Sequence, residues 1–149
     1  MIPKNTGFLI LGGLISLSIA FLHIILIFFG APAYRYFGAG ETMAIMAESG
    51  SPVPALLTLM IAGVFMIFAL YAFSGAKILK PLPLLRPILF TIGLIFSLRG
   101  LLLFYSLYLL WISPLPTEAI KHILFSLVSL GTGILYLSGT ILSGRYKGV

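Results

Sequence analysis

A small set of ionisable side chains interrupts an otherwise apolar sequence: His23, Arg35, Glu41, Glu48, Arg99, Glu118, Lys121 and His122. Arg99 carries the strongest chemical signal. It stands near the centre of an apolar run, where a guanidinium costs about 2.5–3.5 kcal/mol on insertion scales. Tyr105, Tyr108 and Trp111 form an aromatic belt beyond it, and the far edge of that belt is ~18 Å away at 1.5 Å per residue. Snorkelling over that depth is implausible, so Arg99 is expected to face the bundle interior or a wet cavity and to have a partner there. His23 shares a helical stripe with Ser16 and Gly30 and follows Ala20 by three residues. That stripe is the small, close-packed side, so the imidazole should point inward. Two roles fit it: a neutral ring hydrogen-bonded to a carbonyl or hydroxyl, or a proton-exchanging group beside Arg99. Glu41 and Glu48 are seven apart on a segment that reads as a short helix stopped by Gly50, which puts both acids on one face. They are expected as counter-ions for Arg99, the plainer alternative being solvated surface carboxylates.

The glycine- and aromatic-rich stretch from Gly30 to Gly40 adds Tyr34, Arg35, Tyr36 and Phe37. Arg99, His23, Glu41, Glu48, Arg35 and Tyr34 are therefore the expected ligand-binding set. In it Arg99 recognises charge, His23 bonds or exchanges a proton, the glutamates supply counter-charge and the aromatics supply apolar walls. Met43 and Met46 lie elsewhere around the short helix, where they would seat it on the bundle.

Other chemistries find less support. The chain has no cysteine, so it has no disulfide framework, thiolate metal site or dithiol redox chemistry. Two histidines and the glutamates are zinc or iron ligand types, but HExxH or ExxH spacing is missing and the ligands would come from separate segments. Neither metal nor cofactor is expected. Axial haem ligation by His23 and His122 would need both rings in one cavity. There is no nucleophile elbow, and Gly38-Ala39-Gly40 follows no strand and lacks a following lysine, so it is no phosphate loop.

The elements that must position these residues follow from composition. Of 149 residues, 60% are hydrophobic and 8% charged, against about 25% charged in soluble domains. This points to an all-α polytopic membrane protein, a single domain over 1–149. A bilayer core of about 30 Å needs about 20 apolar residues per helix, and four such runs occur, over about 7–30, 54–75, 87–111 and 119–142. They predict a bundle of four transmembrane helices with a short amphipathic helix from Glu41 to Glu48 in the first outer loop. Pro54 and Pro87 sit in first turns, and Pro114 and Pro116 fall just beyond a span. Ala31-Pro32-Ala33 imitates a signal cleavage site, but the preceding run exceeds an h-region of about 7–15 residues, which predicts a retained helix.

With four spans, Lys4, Lys77, Lys80, Arg86, Arg145 and Lys147 share one side while Arg35 and Lys121 hold the other. The positive-inside rule then puts both termini in the cytoplasm. The nine Lys and Arg are too dispersed for a nucleic-acid surface, so membrane lipids and a small-molecule ligand are the expected partners. Small residues recur at Ala55, Ala62, Ala69 and Ala76, at Gly12, Ser16 and Ala20, and at Ser129 and Gly133. Such stripes let backbones approach, and a compact bundle within one chain is the expected result; the competing use is self-association into a homo-oligomer. Tyr71 with Ser74-Gly75 and Tyr136 with Ser138-Gly139 hint at a duplicated hairpin.

The segments GAPAYRYFGAGE, AESGSPVPALLTL, LYAFSGAKI, LPLLRP and SLRGLLL, covering His23 to about Phe104, resemble a family of small four-span bacterial membrane proteins, and the topology is similar to DoxX-type proteins. The resemblance implies a bacterial inner-membrane location and supplies no catalytic residue or cofactor. Three readings of function follow. The first is an outer-half polar pocket that binds or transports a small anionic or amphipathic ligand such as a lipid head group, a quinone or a proton-coupled solute. The second is an enzyme acting on a lipid or quinone by His23 and Glu41 or Glu48 acid–base chemistry. The third is an accessory subunit of a larger membrane complex.

Overall fold

A computed structural model describes residues 6–112 and 117–144, the side chains of 109 and 117–119 excepted. The elements are α1 (Thr6–Phe29), α2 (Ala31–Phe37), α3 (Glu41–Glu48), α4 (Val53–Gly75), α5 (Leu85–Gly100), α6 (Leu102–Ile112) and α7 (Thr117–Gly144). There is no strand among the described residues. Four helical segments are long and apolar enough to cross a membrane: α1, α4, α5 continued by α6, and α7. The chain is thus a multi-pass membrane protein whose make-up fits a four-helix bundle. The expected spans coincide to within two residues with α1, α4, α5 continued by α6, and α7, because apolar length is what bilayer thickness selects. Lys4, Pro114, Pro116, Arg145 and Lys147 lie outside the described residues, as does the side chain of Glu118.

The third span departs from the uninterrupted helix expected. At its middle the Leu101 amide donates to both Ser97 O (3.0 Å) and Leu98 O (3.2 Å), and Phe104 N donates to Leu101 O at 3.1 Å. The bonds to Leu98 O and Leu101 O, both i to i−3, tighten the turn and separate α5 from α6. The cause is at Gly100, where an added Cβ would lie 2.6 Å from Leu130 Cα. The missing side chain lets the α7 backbone approach, and glycine permits the local change of helix geometry.

The chain divides into two compact units, residues 6–13 with 70–144, and residues 14–69. In the first, small residues govern the packing. A Cβ on Gly93 would meet Leu137 at 2.7 Å, and one on Gly133 would meet Ser97 N at 2.7 Å and Gly93 O at 2.9 Å. Phe96 stacks on the fully buried Tyr136 with ring centroids 5.9 Å apart. Leu9 of α1, also fully buried, wedges between Gly75 and Gly139, where added Cβ atoms would lie 2.9 and 2.6 Å from it. The glycines of the two Tyr…Ser-Gly segments therefore receive the same leucine. Ser74 organises the turn after α4: its hydroxyl donates to Lys80 O (2.8 Å) and accepts from Leu82 N (3.0 Å), and the Tyr71 hydroxyl donates to Pro83 O (3.2 Å).

The second unit contains the rest of α1, α2, α3 and the first part of α4. Ser16 and Ala20 of α1 and Ala62 and Ala69 of α4 are buried, while Phe21, Phe28, Met60 and Ile67 are exposed. Small inside and large apolar outside is the arrangement that a lipid solvent favours.

Candidate functional site

The expected site residues of the second unit gather around α2 and α3. Gly30, at φ 62 and ψ −139, ends α1 and turns the chain directly into α2, a conformation that side chains disfavour. Gly38, at φ 77, closes α2 in the left-handed region, with Ala39 N donating to Tyr34 O at 2.9 Å. Gly50, at φ 76, stops α3 as its sequence position implies, and Ser51 N reaches back to Met46 O at 3.0 Å.

The seven residues of α2 present three faces. Ala31 and Tyr34 form one, packed with Ala44 of α3 and flanked by Met43 and Ala47. Met43, expected to seat α3 on the bundle, packs instead against this α2–α3 contact together with Ala47. The Tyr34 hydroxyl lies 3.4 Å from Thr58 Oγ1 of α4. Thr58 commits its own proton to Pro54 O at 2.7 Å, so the phenol is the donor and Thr58 the acceptor.

Arg35 forms the second face. Its Nε donates to both carboxylate oxygens of Glu41 (3.1 and 3.0 Å), Nη2 to Glu41 Oε1 (2.7 Å) and Nη1 to Glu48 Oε1 (2.6 Å). The two acids do share one face of α3, as their spacing requires, and the cation they meet is Arg35. One cation and two anions leave a net charge of −1. The hydrogen bonds from Arg35 hold the Glu41 and Glu48 carboxyls below the usual carboxylate range, and the same bonds raise the affinity of Arg35 for its proton. All three side chains are exposed, so water screens the cluster. Its contribution to holding α3 on α2 should be constant down to the ordinary glutamate pKa of about 4.3. It is lost as pH falls below that value through the depressed native ones. Hydrogen exchange in α3 measured against pH should show this acid-side loosening in the wild type and none in Arg35→Gln.

The third face belongs to a groove. Leu22, Ile25, Leu26 and Phe29, spaced as one stripe of α1, oppose Pro32, Ala33, Tyr36 and Phe37 of α2 across an open, wholly apolar space of about 330 Å³. The groove and the charged cluster thus lie on different sides of one short helix, about 10 Å across.

His23 is half-buried on α1. Its Nδ1 lies 2.8 Å from Ile19 O, and a carbonyl only accepts, so Nδ1 carries a proton and donates it. The ring rests against Phe65 with centroids 5.3 Å apart. Of the two expected partners for the ring, a backbone carbonyl is the one it meets. An acid–base pair of His23 with Glu41 or Glu48 would draw on groups already engaged in these bonds.

Arg99 differs from expectation. It sits on the flank of α5, a quarter turn from the stripe facing α7, and its side chain is exposed. It makes no hydrogen bond or ion pair among the described residues, and the acids proposed for it are held by Arg35. His122 is exposed on α7, in the unit that does not contain His23. Among the described residues no group of His, Asp and Glu is placed to hold a metal ion.

No family model matches the chain, and no curated protein or solved structure matches it either.

Three features escape the sequence: α2 as a helix, Thr58 as the acceptor for Tyr34, and the groove. The first had a signal, Pro32 at the second helical position with Gly38 just past the end. The other two depend on which helices meet.

Proposed function

We propose that the protein resides in a bacterial inner membrane with both termini in the cytoplasm and binds an amphipathic membrane molecule at its outer end. The observation that carries this reading is the apolar groove between α1 and α2. It opens on the flank of a spanning helix, where the surrounding medium is hydrocarbon, and its walls offer a ligand no hydrogen bond. An acyl chain matches such a space better than any polar solute. Lys77, Lys80 and Arg86 between α4 and α5, set against Arg35 and Lys121 on the other side, support the orientation.

The head group is constrained by the neighbouring cluster. A net charge of −1 on Arg35, Glu41 and Glu48 attracts an ammonium and repels a lone phosphate or carboxylate. The anionic or amphipathic ligand expected from the sequence is thereby narrowed to a lipid with an amine-bearing head, whose chain lies in the groove. Four spans are few for a complete transport pathway, so binding is the primary activity in this reading.

The variant Ile25→Trp fills the groove from an exposed position. In native mass spectra of protein extracted gently with its own lipids, the wild type should retain one amine-bearing lipid. The variant should bind it about tenfold more weakly, a loss of about 1.4 kcal/mol. Equal retention by both proteins, or a retained quinone, would count against the proposal.

A further inference from the structure

Arg99 lies midway along the segment Leu85–Ile112, about 20 Å along the helix from each end. Its side chain is exposed, and so are Ile95, Leu98 and Leu102 around it. The break after Gly100 falls beside it. Arginine is a permanent cation, and one placed in hydrocarbon requires an anion or dipoles close by.

We infer that the face of α5–α6 around Arg99 docks a transmembrane helix of a different protein, one that carries a single carboxylate near its middle. Charge complementarity selects this occupant over the others. A second copy of this chain cannot supply the acid, because the chain has three. Arg35 holds Glu41 and Glu48 outside the spans, and Glu118 stands at the start of α7 rather than in mid-span. Lipid phosphates lie outside the hydrocarbon core, more than about 15 Å from the bilayer centre, beyond the reach of a side chain attached there. The exposed leucines and isoleucine give an apolar helix a surface to pack on, and the guanidinium fixes its depth and register, since a buried carboxylate binds best where its partner waits. This inference is independent of the groove, which lies in the other unit.

The test uses the full-length protein in phosphatidylcholine vesicles with a designed apolar helix bearing one central aspartate, its association read by energy transfer. A helix with leucine in that position is the control. The aspartate helix should bind at least about tenfold better than the leucine helix. Arg99→Leu should remove the difference and Arg99→Lys should keep most of it. Arg99→Leu takes a charge out of the membrane, so a failure to insert is not expected to confuse the result. Equal binding of the two helices, or a preference that survives Arg99→Leu, overturns the inference. So does self-association that depends on Arg99, which would give the face to a second copy, or a preference that vanishes when anionic lipid is added, which would give it to head groups.

Discussion

Gly133→Leu should destabilise the protein by about 3 kcal/mol or more, at or beyond the upper end of the usual overpacking range. Any Cβ at that position would press on Ser97 N at 2.7 Å and Gly93 O at 2.9 Å, with the Ser97 hydroxyl also in the way. Two of these three obstacles are backbone atoms, which cannot rotate aside, so α5 and α7 must separate. Even Gly133→Ala should lose much of the stability, because the clash begins at Cβ. Gly131, two residues away, has nothing within 4 Å of an added Cβ. There the change to alanine should be neutral or should gain about 0.5–1 kcal/mol from helix propensity. Reversible unfolding in mixed detergent micelles, compared across the three variants, measures the contrast. Similar losses at Gly131 and Gly133 would mean that close approach of the two helices is not what holds them.

Tyr34→Ala should release α2 and α3 from the second unit while leaving the spans in place. Tyr34 is the largest side chain among Ala31 and Ala44 and is 3% exposed. Truncating a buried aromatic typically costs about 3–5 kcal/mol, more than two short helices joined by a glycine turn can spare. Tyr34→Phe separates the parts of this effect. It removes only the hydroxyl bond to Thr58, which at 3.4 Å belongs near the lower end of the roughly 0.5–1.5 kcal/mol range. Hydrogen exchange should therefore rise throughout α2 and α3 in Tyr34→Ala and barely change in Tyr34→Phe. Lipid retention should follow, because α2 supplies one wall of the groove.

The spans were legible because apolar length is a direct requirement of the bilayer. The short helix from Glu41 to Glu48 was legible because Gly50 stops it and seven-residue spacing aligns its acids. Arg35 was legible as a cation but not as the partner of those acids. Spacing assigns faces within one helix, and Arg35 is separated from Glu41 by a turn whose course depends on Gly38 and Gly40. The seven residues of α2 are too few for hydrophobic periodicity to declare a helix. The repeated Tyr…Ser-Gly segments were visible, whereas Leu9, which fills both glycine positions, could be found only from how α1 meets α4 and α7. For Arg99 the cost of burial was readable and the direction of the side chain was not. An intramembrane charge demands a partner without saying that the same chain provides it.

The occupancy of the α1–α2 groove is tested most directly by a photoreactive residue at Ile25, inside it, compared with one at Phe28, which is 85% exposed and lines no part of it. After irradiation in native membranes, adducts at position 25 should be dominated by one lipid class with an amine-bearing head, and adducts at position 28 should mirror the bulk membrane. Bulk lipid composition at both positions would contradict a ligand site in the groove.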